Sequence, residues 1–244
     1  PDGKQVQLRA NKIGSECFRL WKACDAQVGD DFQINPQEIE SRYFGVLTKL
    51  FNVARFASQF DVPDDFENPP KELPIEDRWI LSEFDGSMRR VQEAWIDIDI
   101  YTAAQTLKGF GTGVFPSHWL EMVKSRLYDG DSCAAWTLHR IVRDLLTGLT
   151  PICPFFTHYL STELYSESSI DVRQFPLLDG EILAGDASRL RSLTDHISEF
   201  NSSVWKAKKD AGLSLKSPIS NFAIPSKLEE LSEPLVKMHS LEFS

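Results

Sequence analysis

The stretch KLFNVARF, at residues 49–56, places a lysine, an asparagine, an arginine and a phenylalanine within an apolar run. In a helix, at about 100° per residue, Lys49, Asn52 and Arg55 share one half of the surface, and Phe56 falls among them. An aromatic ring beside a cation and an amide can stack on an unpaired nucleobase and hold its phosphate. A second interpretation is that Phe56 packs against protein, beneath the acidic segment that follows or against a neighbouring domain.

The opposite half of this helix is apolar and is expected to face a core. It carries Tyr43, Phe44, Val46, Leu47, Leu50, Phe51, Val53, Ala54 and Ala57. Two faces of such different character predict a helix that packs in a bundle and presents its polar half to a ligand.

The motifs of an active site are missing from the sequence. The glycine-rich GFGTG at residues 109–113 is not followed by Lys-Ser/Thr, so we interpret it as a helix break and not as a phosphate-binding loop. Neither GxSxG nor HExxH occurs, and His118 with Glu121 is a single i, i+3 pair. We therefore expect this chain to bind and not to catalyse, with no metal site and no catalytic residue.

Length and composition favour a soluble globular protein. A chain of 244 residues with 42% hydrophobic residues can bury one core, or a core with a small additional domain. The longest apolar region, residues 141–160, is interrupted by charges and prolines and does not resemble a membrane helix. Four cysteines without a CxxC pair predict reduced thiols in a cytosolic core: Cys17, Cys24, Cys133 and Cys153.

The net charge of −10 argues against nucleic-acid binding, but its distribution weakens that objection. Residues 61–77, DVPDDFENPPKELPIED, hold seven acidic residues, one lysine and four prolines. The proline and charge content of this segment predicts a solvated connector between two helices. Most of the negative charge is then local to the connector.

Long helices with short turns occupy most of the chain, which predicts an antiparallel bundle. The first runs from Pro36, behind an Asn35 cap, to about Phe60. The others are expected over residues 76–95, from about 99 to 128 with an interruption at 109–116, over 133–148, and over 151–165 with a proline kink. Before them, residues 4–10 resemble a strand, residues 14–24 have helical spacing, and residues 29–31 suggest a turn.

The last part of the chain predicts a small α+β appendage. Residues 188–210 are expected to be helical and to end at Gly212, and NFAIP, residues 221–225, to form a short strand before a final helix. The fold class is therefore mainly α, a helical bundle with a small C-terminal α+β part.

Five segments occur in the order found in class I aminoacyl-tRNA synthetases, and together they resemble that family over nearly the whole chain. GSECFRLW at residues 14–21 resembles the Gly-Ala-Asp-Ala-Leu-Arg-x-Trp segment that follows the family's KMSKS loop. KLFNVARF and the segments at residues 77–85, 115–128 and 146–165 are similar to the anticodon-binding helical domain of the valine, isoleucine and leucine enzymes. KLFNVARF is most similar to the valyl-tRNA synthetases, and residues 206–219 resemble their C-terminal small domain.

The sequence departs from the family pattern in two respects. Pro116, Ser117, His118 and Trp119 replace the middle of the usual Phe-Cys-Asp-Trp-Tyr-Leu-Glu, and Glu16 and Cys17 replace Asp and Ala. HIGH, KMSKS and the editing domain are absent from the 244 residues, which favours a C-terminal portion of a longer enzyme.

The resemblance implies a tRNA-binding role within a ligase that joins valine to tRNA using ATP with Mg²⁺. No cofactor is expected in this portion itself. The implied partners are the anticodon stem-loop and the enzyme's own catalytic core, which Arg19 would brace; a cytoplasmic monomer without membrane contact is expected.

Residues 1–35 would end the catalytic core, 36–168 form the anticodon-binding bundle, and 169–244 form the small C-terminal domain. The implied RNA contacts are Lys49, Asn52, Arg55 and Phe56, with Arg78, Lys124, Arg126 and Lys206 at phosphates.

Two alternatives remain open at the level of sequence. The chain could belong to an isoleucyl or leucyl enzyme, or it could be a helical protein-interaction module without an RNA role. The acidic net charge favours the second alternative.

Overall fold

A computed structural model describes residues 14–25, 29, 35–178, 182–183 and 185–242. Its helices are α1 Ser15–Asp25, α2 Pro36–Ala57, α3 Ile75–Ile96, α4 Ile100–Gly109, α5 Leu120–Tyr128, α6 Ser132–Leu149, α7 Pro154–Tyr165, α8 Ala187–Arg191, α9 Thr194–Asp210 and α10 Ser232–His239. A π-helical segment, Phe110–Trp119, joins α4 to α5, and 3₁₀ turns cover Ile170–Val172 and Ser226–Leu231. Strand β1, Ile219–Ser220, pairs in parallel with β2, Leu241–Glu242.

Polar caps fix the starts of three helices in the bundle. The Asn35 side chain accepts hydrogen bonds from two backbone N–H groups of α2, which confirms the predicted cap. Asp99 caps α4 in the same way, and Asp131 accepts two backbone N–H bonds at 2.8 and 3.1 Å at the start of α6. Each cap satisfies donors that a helix leaves unpaired at its first turn.

Helix α3 occupies the centre of the molecule. It packs against α4, α6, α8 and the π-helical segment, and its Trp79, Phe84 and Met88 are buried. Trp79 also donates its indole N–H to Thr194 Oγ1 at 2.8 Å, which ties α3 to the start of α9. The same helix therefore supports both the bundle and the C-terminal part.

Helix α2 confirms most of the predicted apolar face, with two exceptions. Tyr43, Leu50 and Ala54 are buried as expected. Phe44 and Phe51, however, are 65% and 37% exposed, so their predicted burial is wrong. Both lie at the margin of the apolar half, where the neighbouring helices do not cover them.

The predicted helix break at residues 109–116 is also wrong, because the chain continues through it as a π-helix. Pro116 lacks the N–H of an ordinary helical residue, and its ring would clash with the preceding turn of an α-helix. A wider turn relieves that clash, and the first N–H after the segment, that of Leu120, reaches the carbonyl of Phe115. Helical direction is therefore kept from Ile100 to Tyr128.

Three boundaries in the second half of the chain differ from the predictions. Helix α7 has Pro154 at its first position, where proline is favourable, so it starts there and is not kinked by it. The helix predicted over residues 188–210 is divided into α8 and α9. The predicted strand at 221–225 is displaced, because the pairing strand is Ile219–Ser220. The strand predicted at residues 4–10 lies outside the described residues, as does all but Gly29 of the turn predicted at 29–31.

A chain of polar contacts joins α9 and α10 to the π-helical segment. Asn201 lies between His118 Nδ1, at 2.9 Å from its amide nitrogen, and His239 Nε2, at 2.7 Å from its amide oxygen. Lys208 is fully buried and donates to the carbonyls of Leu215 and His239, both at 2.7 Å. Buried polar groups of this kind require such partners to offset lost hydration.

The fold class is confirmed as mainly helical with a small two-stranded pair. A continuous cluster of buried apolar side chains runs through the described residues, and it includes all four cysteines as free thiols. No helix in the described ranges has the length and apolar content to cross a membrane.

Candidate nucleic-acid interface

The exposed face of α2 carries the residues singled out from KLFNVARF. Lys49, Asn52 and Arg55 are exposed, and Phe56 is half-buried beside them. Within the described part of the chain, the three polar side chains make no ion pair and no side-chain hydrogen bond with one another or with neighbours. Their donors are therefore accessible to a ligand.

Phe56 belongs to a partly exposed group of three rings, here called the aromatic cluster, formed by Phe56, Phe60 and Tyr128. Their centroids are 5.1 Å (Phe56 to Phe60), 6.1 Å (Phe56 to Tyr128) and 5.6 Å (Phe60 to Tyr128) apart, all edge to face. Tyr128 is 63% exposed, so one face of the group meets solvent. The ring therefore packs on protein, as the second interpretation expects, and it also borders the surface, which stacking on a base would require.

Lys124 is the one basic residue outside α2 that the structure brings to this cluster among the described residues. Its Nζ lies 5.8 Å from the centre of the Phe56 ring and 2.8 Å from Glu121 Oε1. The ion pair with Glu121 is exposed, and such pairs contribute little to stability and exchange readily. Lys124 can therefore serve a ligand at modest cost.

The sequence did not single out Phe60 and Tyr128 as site residues. Phe60 follows Phe56 by four residues, which is the spacing of neighbours on a helix, and this was an available signal. Tyr128 ends α5, and only the packing of α5 on the end of α2 brings it there.

An open cavity of about 660 Å³ adjoins the aromatic cluster. Phe60, Tyr128 and Trp136 form apolar parts of its wall, and the acidic connector forms another part. Exposed carboxylates of Asp61, Asp64 and Asp65 line the same space. The cavity thus combines aromatic surface with acceptors for hydrogen bonds.

The connector over residues 61–77 was predicted to be solvated, but its first part is tied to α6. Trp136 Nε1 donates to the carbonyl of Asp65 at 2.8 Å, and Arg140 donates to that of Phe66 at 2.5 Å. His139 Nε2 lies 3.2 Å from the carbonyl of Phe60. These buried side chains hold the backbone, while many of the connector's acidic side chains face solvent.

A network of charged groups lies beneath α5 and centres on Arg126. Its Nε donates to Asp131 at 2.9 Å, and its Nη1 donates to Glu76 at 2.8 Å. Its Nη1 and Nη2 also donate to the two carboxylate oxygens of Asp77, at 3.2 and 2.8 Å. Trp119 adds an indole N–H to Asp77 at 3.0 Å. The guanidinium side chain is 17% exposed and Asp77 is fully buried. The structure therefore gives Arg126 carboxylate partners in place of solvent.

Burial sets the electrostatics of this network. It raises the pKa of Asp77 to about 6, although Arg126 and Trp119 donate hydrogen bonds to the carboxylate and oppose the shift. Burial alone would lower the pKa of Arg126, but hydrogen bonds and charge from Asp77 and Asp131 outweigh it and raise that pKa. The network thus brings one guanidinium against three acidic side chains.

Arg78, Lys206 and Arg19 lie on other elements. Arg78 is partly buried in α3 and pairs with Asp186 at 3.1 Å, whereas Lys206 is exposed on α9. Arg19 lies 5.2 Å above the Phe155 ring and pairs with Glu16, so its contacts within the described residues are local to α1 and α7. In the described part of the chain, none of these three side chains contacts the aromatic cluster.

Together, the accessible lysines, the amide and the aromatic cluster can bind a base and its phosphate without chemical change. The described residues contain no group of three or more His, Cys, Asp or Glu side chains arranged to hold a metal ion. The fold and this surface define a helical domain with an exposed face suited to an anionic ligand that carries aromatic rings.

Comparison with known families gives the class of domain a name. Residues 77–223 match the model of the anticodon-binding domain of tRNA ligase. The chain belongs to that family.

Several similar curated proteins are valine–tRNA ligases. The chain is 31% identical to the enzyme of Aeropyrum pernix, over 93% of this chain and 28% of the relative. It is 30% identical to the enzyme of Saccharolobus solfataricus, over 87% of this chain and 25% of the relative. For the Pyrobaculum aerophilum enzyme the identity is also 30%, over 98% of this chain and 30% of the relative. The chain spans less than a third of the length of these relatives.

Proposed function

We propose that this chain is the tRNA-binding portion of a valine–tRNA ligase and that it holds the anticodon stem-loop of tRNA. The observation that carries the proposal is the aromatic cluster beside accessible cations on the outer face of α2. Membership of the anticodon-binding domain family supports the class of ligand. The names of the similar proteins support valine over isoleucine or leucine.

In this proposal some side chains of the surface bind a base of the RNA and others bind its phosphates. Phe56 and Tyr128 stack on an unpaired base of the loop, since every base offers a π face to an aromatic ring. Lys49, Arg55 and Lys124 contact phosphates, and Asn52 offers donor and acceptor to a base edge. The net charge of −10 does not prevent these cations from binding phosphates, because most of the excess negative charge lies in the connector and not on α2.

The other predicted phosphate contacts differ in how accessible their side chains are to a phosphate. Lys206 is exposed on α9 and remains a candidate for a more distant phosphate. Arg78 would have to exchange its partner Asp186 for a phosphate. Arg126 is left out of the phosphate contacts, because its donors already serve Glu76, Asp77 and Asp131.

The rest of the proposal concerns the longer enzyme. ATP with Mg²⁺ and the joining of valine to tRNA belong to a catalytic core whose HIGH and KMSKS signatures are absent from the 244 residues, and Arg19 on α1 would brace the join to it. Residues 36–168 form the anticodon-binding bundle in this proposal, preceded by the end of the core at 1–35 and followed by the C-terminal part at 169–244. The enzyme is proposed to act as a cytoplasmic monomer.

The test is binding of a tRNA anticodon stem-loop to the 244-residue chain, measured against salt concentration. Phe56→Ala should weaken binding by roughly 5- to 160-fold, the range for loss of stacking on one base at about 1–3 kcal/mol. Phe44→Ala is the matched control, since Phe44 is an exposed phenylalanine on the same helix. It should leave the dissociation constant unchanged.

Thermal unfolding of both variants separates binding from stability. The proposal fails if wild-type affinity does not fall with salt, because phosphate contacts release counterions. It also fails if a folded Phe56→Ala chain binds as tightly as wild type. Binding to protein partners without RNA affinity would favour the interaction-module alternative instead.

A further inference from the structure

Helix α5 presents Lys124 and Tyr128 on one side and Arg126 on the other. Lys124 and Tyr128 are four residues apart and therefore neighbours on the helix surface, whereas Arg126 is rotated by about 200° from Lys124. Lys124 and Tyr128 both contact Phe56, while Arg126 reaches inward to Glu76 and Asp77 on α3. Holding Arg126 therefore fixes the rotation of the last turn of α5.

The turn after α5 is anchored to the same residue. The backbone N–H of Asp131 donates to the Arg126 carbonyl at 3.0 Å, and the Asp131 carboxylate accepts from Arg126 Nε at 2.9 Å. Asp131 also caps α6, so the end of α5 and the start of α6 meet at one guanidinium. Gly130, with φ of 78°, supplies the left-handed conformation that this tight turn needs.

The charge of the network argues against a phosphate ligand. One guanidinium faces three carboxylates, those of Glu76, Asp77 and Asp131, so the local sum is negative and repels a polyanion. The bidentate contact with Asp77 uses the fork geometry that a phosphate would otherwise occupy.

We propose that Arg126, held by Asp77, whose carboxylate also accepts a hydrogen bond from Trp119, is a positioning residue that sets Tyr128 and Lys124 against Phe56 for RNA binding. This inference rests on the proposed function and adds a residue role to the same site. Asp77 and Trp119 act with Arg126 from within the bundle, and none of the three touches the RNA. An interaction made at a binding surface depends on such support, because the contacting side chains must already be in place.

The test uses Asp77→Asn in the 244-residue chain with the anticodon stem-loop as probe. This substitution removes one negative charge, so simple electrostatics predicts tighter RNA binding. The positioning role predicts the opposite, a loss of at least about threefold with an unchanged salt slope, since no phosphate contact is removed. Glu121→Gln is the matched control, because it removes an exposed carboxylate from α5 outside the network; it should bind RNA equally well or more tightly.

Two further measurements make the outcome specific to positioning. In a Tyr128→Ala background, Asp77→Asn should cause little additional loss, because its effect passes through Tyr128. In the free chain, the ring resonances of Tyr128 should shift in Asp77→Asn and not in Glu121→Gln. If Asp77→Asn does not fold, Trp119→Phe removes the indole donor to Asp77 while keeping a smaller aromatic ring at the buried position, and it is judged by the same criteria.

Each result decides the matter. A folded Asp77→Asn chain that binds RNA as well as or better than wild type overturns the positioning role. So does Arg126→Gln with unmoved rings and a salt slope reduced by about 0.7, the value for one lost phosphate contact on a single strand. If wild type itself lacks salt-dependent binding, the proposed function fails and the inference fails with it.

Discussion

Ile98 has a backbone conformation that its side chain disfavours. Its φ is 60°, in the turn between α3 and α4, and its side chain is 79% exposed. A β-branched residue in the left-handed region crowds the following carbonyl, at a cost of about 1–2 kcal/mol. Burial does not repay this cost, because the side chain gains little from packing.

Ile98→Gly should therefore raise the free energy of unfolding by about 1 kcal/mol, since glycine adopts positive φ without strain. Ile96→Gly is the control, because Ile96 is equally exposed but ends α3 in helical geometry. That variant should lose about 0.5–1 kcal/mol of stability. Urea unfolding of both variants measures the difference, and stabilisation in neither or in both would contradict the strain at Ile98.

At the scale of elements, the π-helical segment packs closely on its neighbours at one glycine and not at another. A Cβ on Gly111 would lie 2.8 Å from Leu50 Cδ2 and 3.0 Å from Leu145 Cδ2. A Cβ on Gly113, two residues later, would have no other atom within 4 Å. Glycine at 111 thus allows α2 and α6 to approach the segment.

Gly111→Ala should cost about 1–3 kcal/mol of stability, because the two buried leucines must move to admit the methyl group. Gly113→Ala, the same change in the same segment, should leave stability unchanged or raise it slightly, since alanine restricts the unfolded chain. Chemical denaturation compares them. Equal losses would mean that backbone conformation and not packing decides the effect.

The sequence was sufficient for most of the helices and for the exposed polar face of α2, because both follow from local periodicity. The π-helical segment was not predictable in this way, since Pro116 and three glycines suggest a break and only tertiary packing keeps the chain helical. The same limit applies to Arg126: a basic residue in α5 looks available to phosphate until Glu76 and Asp77, about fifty residues away, are placed against it. Tyr128 was missed for the corresponding reason, as its contacts with Phe56 and Phe60 cross between helices.

At the scale of the whole molecule, the contact between α9, α10 and the π-helical segment depends on neutral imidazoles. Asn201 points its amide nitrogen at His118 and its oxygen at His239, so His118 accepts and His239 donates. Burial lowers the pKa of both histidines, and for His239, where the positive charge of Lys208 adds to burial, it lowers the pKa to about 4. Protonation of His118 would put a second donor against the Asn201 amide.

Stability should consequently fall on acidification. The stabilisation linked to His239 is complete above its unfolded pKa of about 6.5 and is lost as the pH falls from there toward 4, by up to about 3 kcal/mol. His239→Gln keeps a donor toward Asn201 without a titrating group. Unfolding free energies between pH 7 and pH 4.5 should fall less steeply in that variant than in wild type, and equal slopes would exclude His239 as the source.

The anchoring of the acidic connector to α6 affects the orientation in which a polyanion can lie on the aromatic cluster. The connector's carboxylates have defined positions near Tyr128, because Trp136 and Arg140 donate hydrogen bonds to the backbone that carries them. A polyanion seated on the aromatic cluster meets attraction from α2 and a fixed wall of like charge on the connector side. Under the proposed function, repulsion of this kind would restrict the orientations in which an RNA strand lies on the aromatic cluster, and the connector would disfavour misaligned RNA.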